Sequence, residues 1–156
     1  MKATLVLTST LLALACLPAL RADKKEQDHG HEHKVAGPNG GRVLHSVEPH
    51  CEFFVRADRK LQITFLGEDG KAIAPAAQTV SAIGGERSKP TKFSFTKTAN
   101  TLVSDVALPE GNKVPIVITI KSKPDATPAV EKFAVDLSDC PTCDYREYAC
   151  TCDHEH

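Results

Sequence analysis

From Gly41 to Leu137 apolar and polar residues alternate with period two, and turn-forming residues interrupt the pattern about every ten residues. Successive side chains of a β-strand point to opposite faces, so a run of this kind buries one face and leaves the other to solvent. Leu61, Ile63 and Phe65 alternate with Gln62 and Thr64, and Glu68-Asp69-Gly70 closes the run as a hairpin turn that favours positive φ. Phe93 and Phe95 alternate with Lys92, Ser94 and Thr96, and Ile116, Ile118 and Ile120 with Val117, Thr119 and Lys121. Phe133, Val135 and Leu137 alternate with Lys132, Ala134 and Asp136. The pattern predicts strands at about 42–47, 52–56, 60–67, 78–83, 91–97, 101–107, 114–121 and 130–137. Seven or eight short strands in about 100 residues predict an all-β domain, an antiparallel two-sheet sandwich of immunoglobulin-like type. No amphipathic helix follows residue 22, and no internal repeat is present. Each fully buried Val, Ile, Leu or Phe contributes roughly 1.5–3 kcal/mol, so this domain is expected to fold without metal.

The segments that flank the β pattern have a different character. Residues 1–22 read as a signal peptide, with Lys2 as a short positive region, a mostly apolar stretch from Ala3 to Ala15, and small residues after it. Pro18 and Arg21 interrupt that stretch before it reaches the roughly 20 apolar residues a membrane-spanning helix needs. Cleavage after Ala22 is the favoured processing site. Lipidation at Cys16 fits a lipobox only loosely, since Ala13 stands where Leu is usual. Residues 23–40 carry His29, His31 and His33 at alternate positions without apolar periodicity, which reads as a flexible arm ending in the turn Gly37-Pro38-Asn39-Gly40-Gly41. Residues 41–137 are the β domain, and residues 138–156 are a Cys- and His-rich tail.

Charge and composition narrow the function. The formal charge is −1, from 19 basic and 20 acidic residues, and aromatics make up 5% with no Trp. Neither a nucleic-acid partner nor an aromatic sugar-binding cleft is expected of such a chain. Loss of Lys2 and Arg21 with the signal peptide lowers the basic count from 19 to 17 and the charge from −1 to −3. It also leaves Cys51, Cys140, Cys143, Cys150 and Cys152, an odd number, so at least one thiol of the exported chain is free, metal-bound or paired with another molecule.

The tail holds the densest chemistry. Cys140 and Cys143 form C-x-x-C, whose short spacer lets both thiolates reach one ion through a tight turn helped by Pro141. Cys150 and Cys152 form C-x-C six residues later, so four sulfurs can converge, with His154 and His156 as further ligands. Thiolates with imidazoles favour Zn(II) or Cu(I), and Asp139, Asp144, Glu147, Asp153 and Glu155 add local attraction for a cation. In an oxidising compartment the same cysteines can instead form two disulfides, the crosswise pairing of C-x-x-C with C-x-C being less strained than a bond within C-x-C. Both readings stay open at this level. His29, His31 and His33 are a second candidate, three imidazoles on a flexible backbone that can wrap a Zn, Cu, Ni or Co ion weakly and exchangeably.

The remaining candidates are weaker. His50 and Cys51 are adjacent, so on a strand they point to opposite faces and cannot act as base and nucleophile. Cys51 reads as a small buried hydrophobe. His45 alternates with Val43 and Val47 and reads as an interior or interface histidine satisfied by backbone rather than as a ligand. A thioredoxin-like use of Cys140 and Cys143 needs a helix start beside a βαβ unit, which the sequence does not supply.

His31 onward through Gly37-Pro38-Asn39-Gly40-Gly41-Arg42-Val43-Leu44, the stretch LQITFLGEDGKAIAP from Leu61 to Pro75, and Thr101-Leu102-Val103-Ser104-Asp105 together resemble a known family. They are similar to the N-terminal periplasmic domain of adaptor subunits of heavy-metal efflux pumps of the resistance-nodulation-division class, over roughly residues 31–137. The resemblance implies a periplasmic β domain tied to Zn, Co, Cd, Cu or Ag handling, in which His29, His31 and His33 meet metal. The chain departs from that family in lacking coiled-coil, lipoyl and barrel domains and in adding the Cys-rich tail. The reading that follows is a non-enzymatic periplasmic protein that captures or delivers Zn- or Cu-type ions, with efflux-pump components as partners. Its alternatives are a structural or interaction sandwich with a disulfide-stapled tail, and a thiol oxidoreductase.

Overall fold

The computed structural model describes residues 35–152, which fall within one of the chain's two compact units. The expected signal peptide, Cys16, the histidines His29, His31 and His33, and the tail histidines His154 and His156 lie outside the described residues. Nine strands follow in order: β1 Arg42–Leu44, β2 Cys51–Val55, β3 Lys60–Leu66, β4 Ala72–Ile73, β5 Thr79–Gly84, β6 Thr91–Thr98, β7 Thr101–Ala107, β8 Lys113–Lys121 and β9 Ala129–Asp136. A single 3-10 turn, Glu147–Ala149, comes after them, and no α-helix occurs among the described residues. No helix there is long and apolar enough to cross a membrane.

All pairings are antiparallel, and the hydrogen-bonded order is β1-β2-β3-β7-β6-β5-β8-β9, with β4 pairing β3. The strands form one nearly closed, barrel-like sheet, where two separate sheets were expected. The join is β6: its first half, from Thr91 to Ser94, pairs β5, while its second half, from Phe95 to Thr98, pairs β7. Eight residues are long enough to serve two neighbours in succession, and alternation along a strand carries no information about which strand it will pair. The two-residue β4 was not expected either, being too short to show a period. Its hairpin is the one centred on Glu68-Asp69-Gly70, closed by Gly67 N–H donating to the Lys71 carbonyl at 2.9 Å, with Gly70 at φ 71°.

The inward faces follow the alternation. Val114, Ile116, Ile118 and Ile120 of β8 are buried, as are Leu61, Ile63 and Phe65 of β3 and Phe93 of β6. Cys51 is fully buried as a small hydrophobe, and desolvation, reinforced by the charges of Glu131 and Glu52, pushes its thiol up to about 12. His45 differs from its expected place. The strand β1 ends at Leu44, which points inward opposite Cys51, so His45 leaves the sheet just before the bend at 46–49, is exposed, and is not an interior residue.

The glycine-rich turn before β1 is built around a buried carboxylate. Glu52 Oε1 accepts the N–H groups of Asn39 and Gly41, both at 2.8 Å, and Oε2 accepts Asn39 Nδ2 at 2.6 Å. Glu52 itself is fully buried. A Cβ on Gly37 would lie 2.5 Å from the Glu52 side chain, and one on Gly41 would collide with the Phe53 carbonyl. The glycines are required by this close approach as well as by the positive φ of Gly40.

The first and last strands, β1 and β9, are not hydrogen-bonded to each other. Side chains and the tail cover the gap. The Phe53 and Phe133 rings meet edge to face at 5.1 Å, and the Arg42 guanidinium lies 4.8 Å from the Phe133 centroid. The 3-10 turn packs on both β9 and β1. Within it Tyr148 is buried, its ring is edge-on to Phe53 at 5.8 Å, and its hydroxyl accepts the Val55 N–H at 3.1 Å.

Candidate metal centre

The tail starts as a short hairpin. Glu147 N–H donates to the Ser138 carbonyl at 2.9 Å, Asp139 bridges to Arg146, and Cys140 N–H donates to the Tyr145 carbonyl at 3.0 Å. Residues 141–144 are therefore the loop of this hairpin, with Cys140 at its start and Cys143 within it. Arg146 fixes the base, donating to the Leu137 carbonyl at 2.8 Å and pairing with Asp139 at 2.7 Å. One of the tail carboxylates expected to attract a cation is thus engaged with an arginine. The 3-10 turn then reverses the chain, and Tyr148 and Ala149, both buried in the core, carry Cys150 back under the hairpin loop.

The result brings four of the nine expected metal ligands together. The Sγ atoms of Cys140, Cys143, Cys150 and Cys152 all lie within 4.8 Å of one another. Cys150 Sγ is 3.5 Å from Cys140 Sγ and 3.8 Å from Cys143 Sγ. Four thiolates around a tetrahedral ion at about 2.3 Å are separated by about 3.8 Å, so the cluster needs only a small contraction to close on one ion. No disulfide joins the cysteines of the described residues, in contrast to the stapled alternative. Cys140 and Cys150 form the buried inner half of the cluster, and Cys143 and Cys152 the partly exposed outer half. The C-x-x-C pair sits in a hairpin loop, not at a helix start, so no helix dipole acts on it.

The sulfurs are not equivalent. The Thr142 hydroxyl, 3.3 Å from Cys140 Sγ, is the main cause holding the Cys140 thiol down at about 6, with the Thr142 amide and the Cys150 and Cys143 thiols acting in the same direction. Burial pushes Cys150 up to about 12, although the Cys152 amide, 3.3 Å from its sulfur, pulls the other way. At Cys143 the Tyr145 amide lowers the pKa, but burial and the hydrogen bonds to Cys140 and Cys152 outweigh it and leave the thiol raised. Were a cation bound here, Cys140 would offer it the readiest thiolate, and the charge of the cation would favour deprotonation of the others. In metal-free, reduced protein, alkylation of Cys140 by iodoacetamide is expected to rise with pH through a midpoint near 6, because its thiolate persists down to that pH. A midpoint near the ordinary value of 9.0, read by peptide mass mapping, would mean that the Thr142 hydrogen bonds do not form.

No protein-family model, curated protein or solved structure matches the chain. The site is therefore read from its own chemistry. Two contributors were not evident from the cysteine pattern. Thr142 Oγ1 lies 3.0 Å from Cys152 Sγ as well as 3.3 Å from Cys140 Sγ, and so links the two pairs. Tyr148 anchors the returning segment to β2. A signal for the second was present: the chain has only two tyrosines, and both, Tyr145 and Tyr148, lie in the tail. Aromatic bodies in a short polar segment mark packing against a core.

Proposed function

We propose that this chain is an exported, non-enzymatic protein that binds a transition-metal ion, Zn(II) in the first place, through Cys140, Cys143, Cys150 and Cys152. The observation that carries this reading is the convergence of four sulfurs within 4.8 Å. Four thiolates in a tetrahedral arrangement suit zinc, and soft Cu(I) is the competing ion. The inner and outer halves of the cluster support capture and delivery over permanent storage. An acceptor can replace Cys143 and Cys152 from solvent while Cys140 and Cys150 still hold the ion. The same proposal includes periplasmic localisation, metal contact by His29, His31, His33, His154 and His156, and a link to heavy-metal efflux through the adaptor-like stretches. The immunoglobulin-like kinship of the sheet also belongs to it.

Native intact mass spectrometry of protein exported to a bacterial periplasm tests the reading. One ion per chain, lost on acidification, with a denatured mass that shows free tail thiols, is the expected result. A metal-free chain about 4 Da light, as two disulfides require, would replace the metal centre with a staple.

A further inference from the structure

A second group of metal-ligating side chains stands outside the cysteine cluster, on the connection between β1 and β2. The His45 and His50 rings meet edge to face with centroids 4.8 Å apart. His50 Nδ1 is 2.9 Å from the Val47 carbonyl oxygen, which can only accept, so Nδ1 carries a proton and the neutral tautomer has its lone pair on Nε2. Glu48 Oε1 lies 3.2 Å from the same Nδ1. A backbone carbonyl or carboxylate behind one ring nitrogen is the arrangement that orients an imidazole and raises its basicity toward a metal on the other. The loop is held at both ends, since Val47 and Cys51 are buried and the His50 carbonyl accepts the Leu66 N–H at 2.8 Å. Its histidines face a cleft of ≈ 890 Å³ whose far wall includes Glu68 of the β3–β4 hairpin. His45 also lines a smaller cleft of ≈ 240 Å³ together with Cys150 and Thr151.

We propose that His45 and His50 form a second, exchangeable site for a divalent first-row transition-metal ion, distinct from the cysteine centre. Two nitrogens bound at about 2.0–2.1 Å to one ion are at most about 4.2 Å apart, and the two ring centroids already lie 4.8 Å apart. Imidazole nitrogens suit Zn, Cu, Fe and Ni, and the exposure of His45 leaves the remaining coordination positions to water or an incoming ligand. With only two protein ligands fixed, the site binds weakly and releases readily. Because His45 borders the cleft that reaches Cys150, the pair is placed to load or unload the cysteine centre.

Titration of Ni(II) into the ¹⁵N-labelled full chain, followed by amide NMR and by visible absorption, tests this. Paramagnetic broadening is expected at His45, Glu48 and His50. It should require at least tenfold more Ni(II) in the H45A/H50A variant and be unchanged in the H29A/H31A/H33A variant. Broadening confined to the arm, or broadening near residues 45–50 that survives H45A/H50A, would overturn the site. Thiolate-to-nickel charge-transfer absorption reports the cysteine centre separately. That absorption without broadening at His45 and His50 overturns the histidine site and leaves the cysteine reading standing. Broadening without that absorption does the reverse.

Discussion

Zinc is expected to raise the melting temperature of the reduced wild-type chain by about 15 °C when present at about a thousand times its dissociation constant. Replacing Cys143 and Cys152 by serine is expected to abolish that rise. At this excess a ligand bound only by the folded state adds about 4 kcal/mol, and a domain of this size gains roughly 4 °C for each of them. Cys143 and Cys152 are the appropriate pair because they are the partly exposed ligands. Serine there costs little packing, whereas serine at the buried Cys140 or Cys150 would also place a hydroxyl in the core. Without zinc, wild type and variant should melt within a few degrees of each other and share the same β spectrum, since the sheet has its own core. An undiminished zinc shift in the variant, measured by circular dichroism, would exclude the cysteines as the ligands. A metal-free wild type lacking β structure would show instead that the metal is needed to fold.

Glu52→Ala is expected to destabilise the protein by about 3 kcal/mol, read as a lowered urea midpoint at unchanged slope. The carboxylate accepts three hydrogen bonds from the turn before β1, of which the one from Gly41 N–H is buried. Its removal leaves those donors unanswered and a void under Gly37 and Gly41. Glu52→Gln keeps the volume and one carbonyl oxygen, so it should lose about half as much. The comparison separates hydrogen bonding from packing: equal losses for the two variants would assign the effect to the charged acceptor oxygens and none of it to the lost volume. A change below about 0.5 kcal/mol for Glu52→Ala would mean that the turn does not depend on this group.

The histidine pair and the cysteine cluster differ in how directly the chain announces them. Cys140, Cys143, Cys150 and Cys152 span 13 residues, and a hairpin followed by one 3-10 turn is enough to fold them together. Their convergence was therefore open to inference from spacing. The choice against disulfides was not, because both outcomes use the same spacing. His45 and His50 are five residues apart and flank the bend at 46–49, and only the early end of β1 turns them toward each other.

The β character, the approximate strand limits, the inward residues of β3, β6 and β8, and the Asp-Gly hairpin were legible in the order of residues. These depend on side-chain period and on turn chemistry, both of which act over a few residues. Tertiary structure alone decided that β6 joins the strands into a single barrel-like sheet, that Glu52 organises the glycine turn, and that Tyr148 ties the tail to Val55. The last pair is 93 residues apart in the chain. A hydrogen bond across that distance leaves no period in the sequence, because it is set by where the completed sheet leaves an open seam and which side chain has the shape to fill it.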